Sequence, residues 1–107
     1  MRTMVFISLP MRDKSEEEII VNQQKLFGDY QAEHPDAILI NEFNPVPKDQ
    51  ITLMEQLGRE DVYMLGRSIA LLSFADVVIF AKGWENYSGC RIEHKVATYY
   101  DIPKIYA

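Results

Sequence analysis

The feature that most constrains the fold is an apolar run that leads into a small-residue turn and a helix start. Asp76 to Ala81 predict a buried strand, and Gly83 opens the turn that follows it. A helix is predicted from Ser88 to Tyr100, with Ser88 as N-cap and the next backbone amides unpaired within the helix. A helix start with free amides, directly after a turn of small residues, is typical of sites for polar or phosphorylated ligands.

The rest of the chain alternates between strand-like and helix-like segments. The other predicted elements are strands at residues 4–7, 37–41 and 104–106 and helices at residues 16–33 and 60–74. Ser15 to Glu18 fit a capping box at the start of the first helix. The connection from residue 42 to 58 is expected to carry a short helix near residues 50–57, and connections of this length often cover binding sites.

Apolar spacing predicts which side of each helix is buried. The inner side of the first helix is expected to carry Ile19, Ile20, Phe27 and Tyr30. In the helix that starts at Ser88, the side facing the sheet is expected to carry Ile92, Val96 and Tyr99. Glu93 then lies about 100° round that helix, where it can point into a crevice at the edge of the sheet.

Strands that alternate with helices predict a single α/β domain over residues 1–107, because a chain of this length builds one core. The expected architecture is a flavodoxin-like or Rossmann-like three-layer sandwich with a four-stranded parallel sheet in the order 2-1-3-4. In that order, the ligand crevice lies between the loop after the first strand, residues 8–13, and the loop after the third strand, residues 82–88.

Composition narrows the class of partner. The net charge is −5 and the isoelectric point is near 4.9, which argues against a nucleic-acid polymer as partner. The sequence has no apolar run long enough to span a membrane and no signal-peptide pattern, so a cytoplasmic protein is expected. A single cysteine and two distant histidines give no zinc-ligand spacing, so a bound metal is not expected, and carboxylate-bound Mg²⁺ is the alternative that stays open. No cofactor is expected.

Two stretches carry a resemblance to a known family. Residues 75–84, Ala-Asp-Val-Val-Ile-Phe-Ala-Lys-Gly-Trp, and residues 89–97, Gly-Cys-Arg-Ile-Glu-His-Lys-Val-Ala, resemble the nucleoside 2-deoxyribosyltransferase superfamily. The similarity is greatest to its small bacterial and phage domains. The superfamily places its catalytic glutamate in a Gly-x-x-x-Glu-x-x-x-Ala context, which matches Gly89, Glu93 and Ala97. The resemblance implies that Glu93 is a nucleophile on the anomeric carbon of a deoxynucleoside, in a retaining double displacement.

The resemblance also implies where a nucleoside or its 5′-phosphate would bind. The expected binding residues are Ser8, Pro10, Met11 and Arg12 after the first strand, Trp84 or Tyr87 as base platform, and Ser88, Gly89 and Arg91 at the helix start. Each has a plainer interpretation, because a capped helix start, a solvated arginine and a packed loop aromatic are common in proteins of any function. Glu93 itself could be a solvated glutamate near the positive end of a helix dipole.

Alternative functions stay open at this point. Ser68 stands where many superfamily members carry an aspartate, so a nucleotide-binding or sequestering module without catalysis is the second hypothesis, and a structural subunit is the third. The candidates for a second carboxylate near Glu93 are Asp13, Glu42 and Glu85. Cys90 and His94, four residues apart, suggest a nucleophilic pair with a lowered cysteine pKa. Family sites are often completed across subunits, so a homo-oligomer, at least a dimer, is expected.

Overall fold

The computed structural model describes residues 2–43 and 55–107. Most of the short helix expected near residues 50–57 therefore lies outside the described residues. In chain order the described elements are β1 (Thr3–Ser8), α1 (Glu16–Glu33), β2 (Ala37–Leu39), α2 (Glu60–Leu72), β3 (Val77–Phe80), a short 3₁₀ helix (Trp84–Asn86), α3 (Ser88–Tyr99) and β4 (Lys104–Tyr106).

The four strands form one parallel sheet in the order β2-β1-β3-β4. This confirms the predicted α/β class and strand order. The two central strands are in register from Val5 opposite Val77 to Ser8 opposite Phe80. Asp76 joins their amino ends, because its carboxylate accepts a hydrogen bond from the Met4 amide at 2.8 Å. The carboxyl ends of β1 and β3 therefore lie side by side, at the point where the strand order reverses.

Helices cover both faces of the sheet, which makes the three predicted layers. On one face α1 packs against alternate residues of the two central strands, a core cluster that contains Val5, Ile7, Ile19, Val77 and Ile79. On the other face α2 and α3 pack against the intervening residues, a cluster that contains Phe6, Leu72, Val78, Phe80 and Ala97. No helix within the described residues has the length and apolar character that a membrane span requires.

The prediction of which α3 residues face the sheet is wrong. Ile92 and Tyr99 are 41% and 72% exposed, and only Val96 is partly packed against the core. The buried stripe of α3 is instead Cys90, Glu93 and Ala97. Because Ala97 is small and fully buried, it lets this side of the helix lie close to the sheet, and the larger side chains turn outward.

The first helix also differs from its prediction at one position. Ile19 is buried as expected, but Ile20 is 38% exposed and the polar Gln23 is buried in its place. The capping box at the start of α1 is confirmed, since Ser15 caps the Glu18 amide and the Glu18 side chain returns to the Ser15 amide. Gln23 is buried because it has polar partners beneath the helix, which are described below.

The helix start at Ser88 is capped differently from the prediction. Tyr87, in an extended conformation, is the N-cap, and its carbonyl accepts the Arg91 amide at 3.0 Å. The Ser88 side chain makes no capping hydrogen bond, so its predicted role as N-cap is wrong. Gly83 adopts a φ of 85°, a left-handed conformation that favours glycine, and this turn carries the chain from β3 into the 3₁₀ helix.

Candidate active site at the carboxyl edge of the sheet

The centre of the candidate site is a contact between Ser8 and Glu93. Ser8 is the last residue of β1, and its side chain lies on the same face of the sheet as Phe6, the face that α3 covers. Its hydroxyl donates a hydrogen bond of 2.7 Å to Oε1 of Glu93. Ser8 is fully buried and Glu93 is 7% exposed. The sequence placed both residues beside one crevice, and the fold joins them directly across 85 positions of sequence.

Burial controls the charge of Glu93. Removal from water raises the pKa of this carboxyl to about 7, and the Ser8 hydrogen bond opposes the rise because it favours the ionised form. Both protonation states are therefore populated at neutral pH. A pKa shifted by burial in a cleft is a feature of functional carboxylates, since such a group can serve as nucleophile, base or acid near neutrality.

Cys90 is the titratable neighbour of this carboxyl. The pKa of its thiol is raised, first by burial and further by the charge of Glu93, while Ser8 lowers it. The predicted lowering of the Cys90 pKa at the helix start is therefore wrong, because desolvation by burial is the largest contribution. The suggested pair with His94 is also wrong, since the imidazole hydrogen-bonds the Tyr106 hydroxyl at 2.7 Å.

The sequence interpretation missed an aromatic cluster around His94. The imidazole stacks on Trp84 at 4.2 Å between ring centroids and meets Phe80 edge-on at 4.9 Å. Tyr106 packs over Phe80 from the neighbouring strand, where the two residues are in register. The pairing of β3 with β4 is the signal that could have predicted this cluster. His94 thus covers one face of the Trp84 ring, and Phe80 also contacts this ring in a tilted arrangement, with 5.3 Å between the centroids.

Several predicted binding residues lie together, but away from Glu93. An open surface depression of about 700 Å³ is lined by Trp84, Ser88, Arg91, Ile92, His94, Lys95, Thr98 and Tyr99. Arg91 precedes Glu93 by two residues, which places it about 200° round the helix. Gly89 faces open space at the helix start, since a Cβ added there would meet no atom within 4 Å outside its neighbours and the helix backbone. The predicted binding residues are therefore divided between the outer side of α3 and the loop after β1, which begins at Ser8, the hydrogen-bond partner of Glu93.

The loop after β1 has a buried start and an exposed tip. Pro10 is buried, whereas Met11 and Arg12 are exposed. Asp13 has a φ of 64°, and the Lys14 amide donates to the Met11 carbonyl at 3.2 Å, which closes a turn. This turn places the Arg12 side chain at the surface beyond Ser8. Tyr87, directly before α3, is partly buried.

The predicted second carboxylate is not found beside Glu93 among the described residues. Asp13, Glu42 and Glu85 are all exposed, and none of them contributes to the pKa shift of Glu93. The part of the chain that the structure describes also contains no group of three or more histidine, cysteine or acidic residues arranged around a common metal position. The chemistry of the described site therefore rests on the Glu93 carboxyl, the Ser8 hydroxyl and the neighbouring Cys90 thiol.

A second polar feature absent from the sequence interpretation lies beside Ser8. The Asn41 carboxamide accepts the Ile7 amide at 2.9 Å and donates to the Ile7 carbonyl at 2.8 Å. The buried Gln23 donates to the Asn41 carbonyl at 2.9 Å and accepts the Phe43 amide at 2.8 Å. A glutamine among the apolar positions of α1 was the signal for a buried polar network, because a buried amide requires partners.

Comparisons with protein-family models, with curated proteins and with solved structures found no match to this chain. The resemblance to nucleoside 2-deoxyribosyltransferases therefore stays a prediction from the sequence. The buried Glu93 and its contact with Ser8 are independent of that resemblance, and they provide the structural basis for the function proposed next.

Proposed function

We propose that this protein is an enzyme of the N-glycosidic bond that acts on a deoxynucleoside or deoxynucleotide, with Glu93 as nucleophile. The observation that supports this proposal most directly is the buried Glu93 carboxyl, held by the Ser8 hydroxyl where β1 and β3 end. The resemblance of residues 89–97 to the superfamily's glutamate motif is the second support. A transferase and a hydrolase of this kind both begin with attack of the glutamate on the anomeric carbon, so the proposal includes both.

The proposed reaction proceeds in two displacements at the anomeric carbon. In the first, a carboxylate oxygen of Glu93 forms a bond to the anomeric carbon while the glycosidic carbon–nitrogen bond breaks. The leaving base takes the electron pair of that bond and gains a proton from solvent water, and the water or base that attacks in the second displacement loses one proton to solvent as its bond to carbon forms, so the protons balance. In the second, water or another base attacks the same carbon and releases the Glu93 carboxylate. Two inversions give overall retention of configuration.

The environment of Glu93 suits this chemistry. The transition state has the positive charge of an oxocarbenium ion, and a carboxylate in a buried position attracts that charge more strongly than one in water. The Ser8 hydroxyl occupies Oε1, and Oε2 has no hydrogen-bond partner among residues 2–43 and 55–107. We therefore assign Oε2 as the attacking atom and Ser8 as the group that orients the carboxylate.

A second candidate function is a nucleotide-binding or sequestering module. The observation that favours it is the exposed position of Asp13, Glu42 and Glu85, which leaves the described site without a second carboxylate. The partly buried Ser68, in the position of the superfamily's aspartate, supports the same alternative. In this function Glu93 would accept a hydrogen bond from the ligand rather than attack it.

The experiment that tests the proposal is an assay for liberated base. The protein is incubated with purine and pyrimidine deoxynucleosides and their 5′-monophosphates, with and without a second free base as acceptor, and the products are separated by liquid chromatography. We expect release or exchange of at least one base. Binding of a ligand by calorimetry without release from any member of the panel would support the module instead.

We expect a 5′-monophosphate to bind more tightly than its nucleoside. Either Arg12, at the exposed tip of the loop after β1, or Arg91, on the outer side of α3, together with the free helix-start amides, would give a phosphate charge-assisted hydrogen bonds, each worth about 1.5–3 kcal/mol. Calorimetric titration should show that Arg12→Ala or Arg91→Ala weakens binding of the monophosphate about tenfold or more, with little effect on the nucleoside. Arg67→Ala, in the middle of α2, is the matched control. Equal affinities for nucleoside and monophosphate would contradict the phosphate site.

We expect the protein to form a homo-oligomer, at least a dimer. The described surface exposes large apolar and aromatic side chains that a subunit contact would bury, among them Val62, Phe74, Tyr99, Tyr100 and Tyr106. Light scattering coupled to size-exclusion chromatography at micromolar concentration should give a mass of at least twice 12.4 kDa. A monomer under these conditions would contradict the expectation.

A further inference from the structure

The end of β1 lacks a full backbone partner on one side, and an asparagine side chain supplies it. The backbone ladder between β1 and β2 finishes with the Ile40 amide, which donates to the Val5 carbonyl at 2.9 Å. At Ile7, the next position that needs pairing on that side, the Asn41 carboxamide takes over both backbone hydrogen bonds. A carboxamide has the same donor and acceptor as a peptide group, so it replaces one here. This explains why β2 ends at Leu39 rather than at the predicted Asn41.

The backbone around Asn41 is fixed in turn by Gln23 of α1. The glutamine side chain is 2% exposed, and its two polar atoms bond the Asn41 carbonyl and the Phe43 amide. A buried amide with both atoms bonded in this way is rigid, because any rotation would leave a polar group unpaired. Gln23 therefore restricts where the Asn41 side chain can lie.

The pairing of Ile7 with Asn41 also restricts the backbone of Ser8, the next residue of β1. Ser8 directly follows Ile7, and its carbonyl accepts the Ala81 amide at 3.0 Å on the β3 side. With Ile7 paired to Asn41 and Ser8 paired to β3, the last two residues of β1 are held extended from both sides. Alternation along a strand then turns the Ser8 side chain toward α3 and Glu93.

We propose that Asn41 is a positioning residue for Glu93: its side chain holds Ile7 in strand geometry and thereby aims the Ser8 hydroxyl at the Glu93 carboxylate. Asn41 lies on the opposite side of β1 from β3 and acts through Ser8. The catalytic meaning of this arrangement rests on the proposed function, whereas the link from Asn41 to Ser8 and Glu93 exists whatever the reaction is.

The test is a double-variant cycle read out at the Glu93 carboxyl. The pKa of Glu93 is measured by carbon-detected NMR titration in the wild type, Asn41→Ala, Ser8→Ala and the double variant. Loss of a hydrogen bond to a carboxylate should raise this pKa by about one unit in each single variant. Because Asn41 acts through Ser8, the double variant should show no larger shift than Ser8→Ala alone.

Controls separate positioning from folding. Asn86→Ala, an exposed asparagine of the 3₁₀ helix, makes the same chemical change and should leave the Glu93 pKa unchanged. Asn41→Leu has a similar size without hydrogen bonds, and serves if Asn41→Ala does not fold. Cys90 is the titratable group that faces Glu93 among the described residues, so its thiol is followed in the same titrations.

Three results would overturn the proposal. The first is a folded Asn41 variant whose Glu93 pKa equals that of the wild type. The second is a pair of pKa shifts, in Asn41→Ala and Ser8→Ala, that add in the double variant. The third is loss of the fold in both Asn41→Ala and Asn41→Leu, which would mean that Asn41 is required for folding. If base release is detected, the pH midpoint of kcat/KM should move upward with the pKa. If no base is released, the NMR titration still decides the role of Asn41.

Discussion

Replacing Glu93 with glutamine is expected to lower base release by about a thousandfold or more, while ligand affinity changes little. Glutamine keeps the size of the side chain and an oxygen that accepts the Ser8 hydrogen bond, but it lacks the anionic oxygen that attacks the anomeric carbon. The measurement is the rate of base release at saturating substrate for both proteins, with affinity obtained separately by calorimetry. Glu85→Gln, an exposed glutamate on the 3₁₀ helix, is the matched control and should retain full activity.

A trapped intermediate would identify the nucleophile directly. A 2-fluorinated deoxynucleoside analogue slows breakdown of a glycosyl-enzyme, so intact-protein mass spectrometry should show an adduct on the wild type and on Glu85→Gln. The Glu93→Gln protein should show none. Base release that survives in Glu93→Gln would mean that another group is the nucleophile, and the absence of release from every wild-type reaction would favour the binding module.

The second large effect concerns stability and pH. In the folded protein the pKa of Glu93 is raised from 4.5 to about 7, mainly by burial. The folded state therefore holds this proton more tightly than the unfolded state, and the resulting stability is fully present below pH 4.5 and lost as pH rises through 7. The shift corresponds to about 3 kcal/mol of unfolding free energy, taken as an order of magnitude.

We expect wild-type stability to fall by this amount, relative to Glu93→Gln, between pH 4.5 and pH 8. Urea denaturation curves at intervals across this range give the two free energies of unfolding, and their difference removes the contribution of all other titrating groups. Glu85→Gln should follow the wild type, because its side chain is exposed. Parallel curves for wild type and Glu93→Gln would show that Glu93 titrates near its ordinary pKa.

Ionisation of Glu93 should change activity with pH in the opposite direction from stability. A nucleophile acts only as the carboxylate, so kcat/KM should rise with pH through about 7 and then level off. A general acid would instead lose activity over this interval. Stability and activity that change in opposite directions across one midpoint would therefore support the assignment of Glu93 as nucleophile.

Most of the fold could be predicted because its signals are local. The apolar run at residues 76–81, the capping box at Ser15 and the alternation of strands and helices each depend on neighbouring residues. Rules of handedness and crossover then restrict the strand order, and the sheet has the expected order β2-β1-β3-β4. The position of Glu93 near the carboxyl ends of β1 and β3 follows from this order together with the helix start after β3.

Other properties depended on the tertiary structure, because they arise from contacts between residues far apart in sequence. The rotation of α3, which buries Ala97 and exposes Tyr99, was decided by close packing on the sheet rather than by the apolar spacing of the helix. The same packing brought His94 to Tyr106 rather than to Cys90.

The chemistry of the site also depended on the tertiary structure. The amino-acid sequence by itself determined that a glutamate follows a strand, a turn and a helix start, together with the fold class that gathers those elements at one edge. Only the tertiary structure decided that Ser8 is its hydrogen-bond partner and that Asn41 and Gln23 hold the end of β1. The pKa of Glu93 was likewise decided there, since desolvation depends on every atom packed around the carboxyl and no local pattern in the sequence encodes that environment.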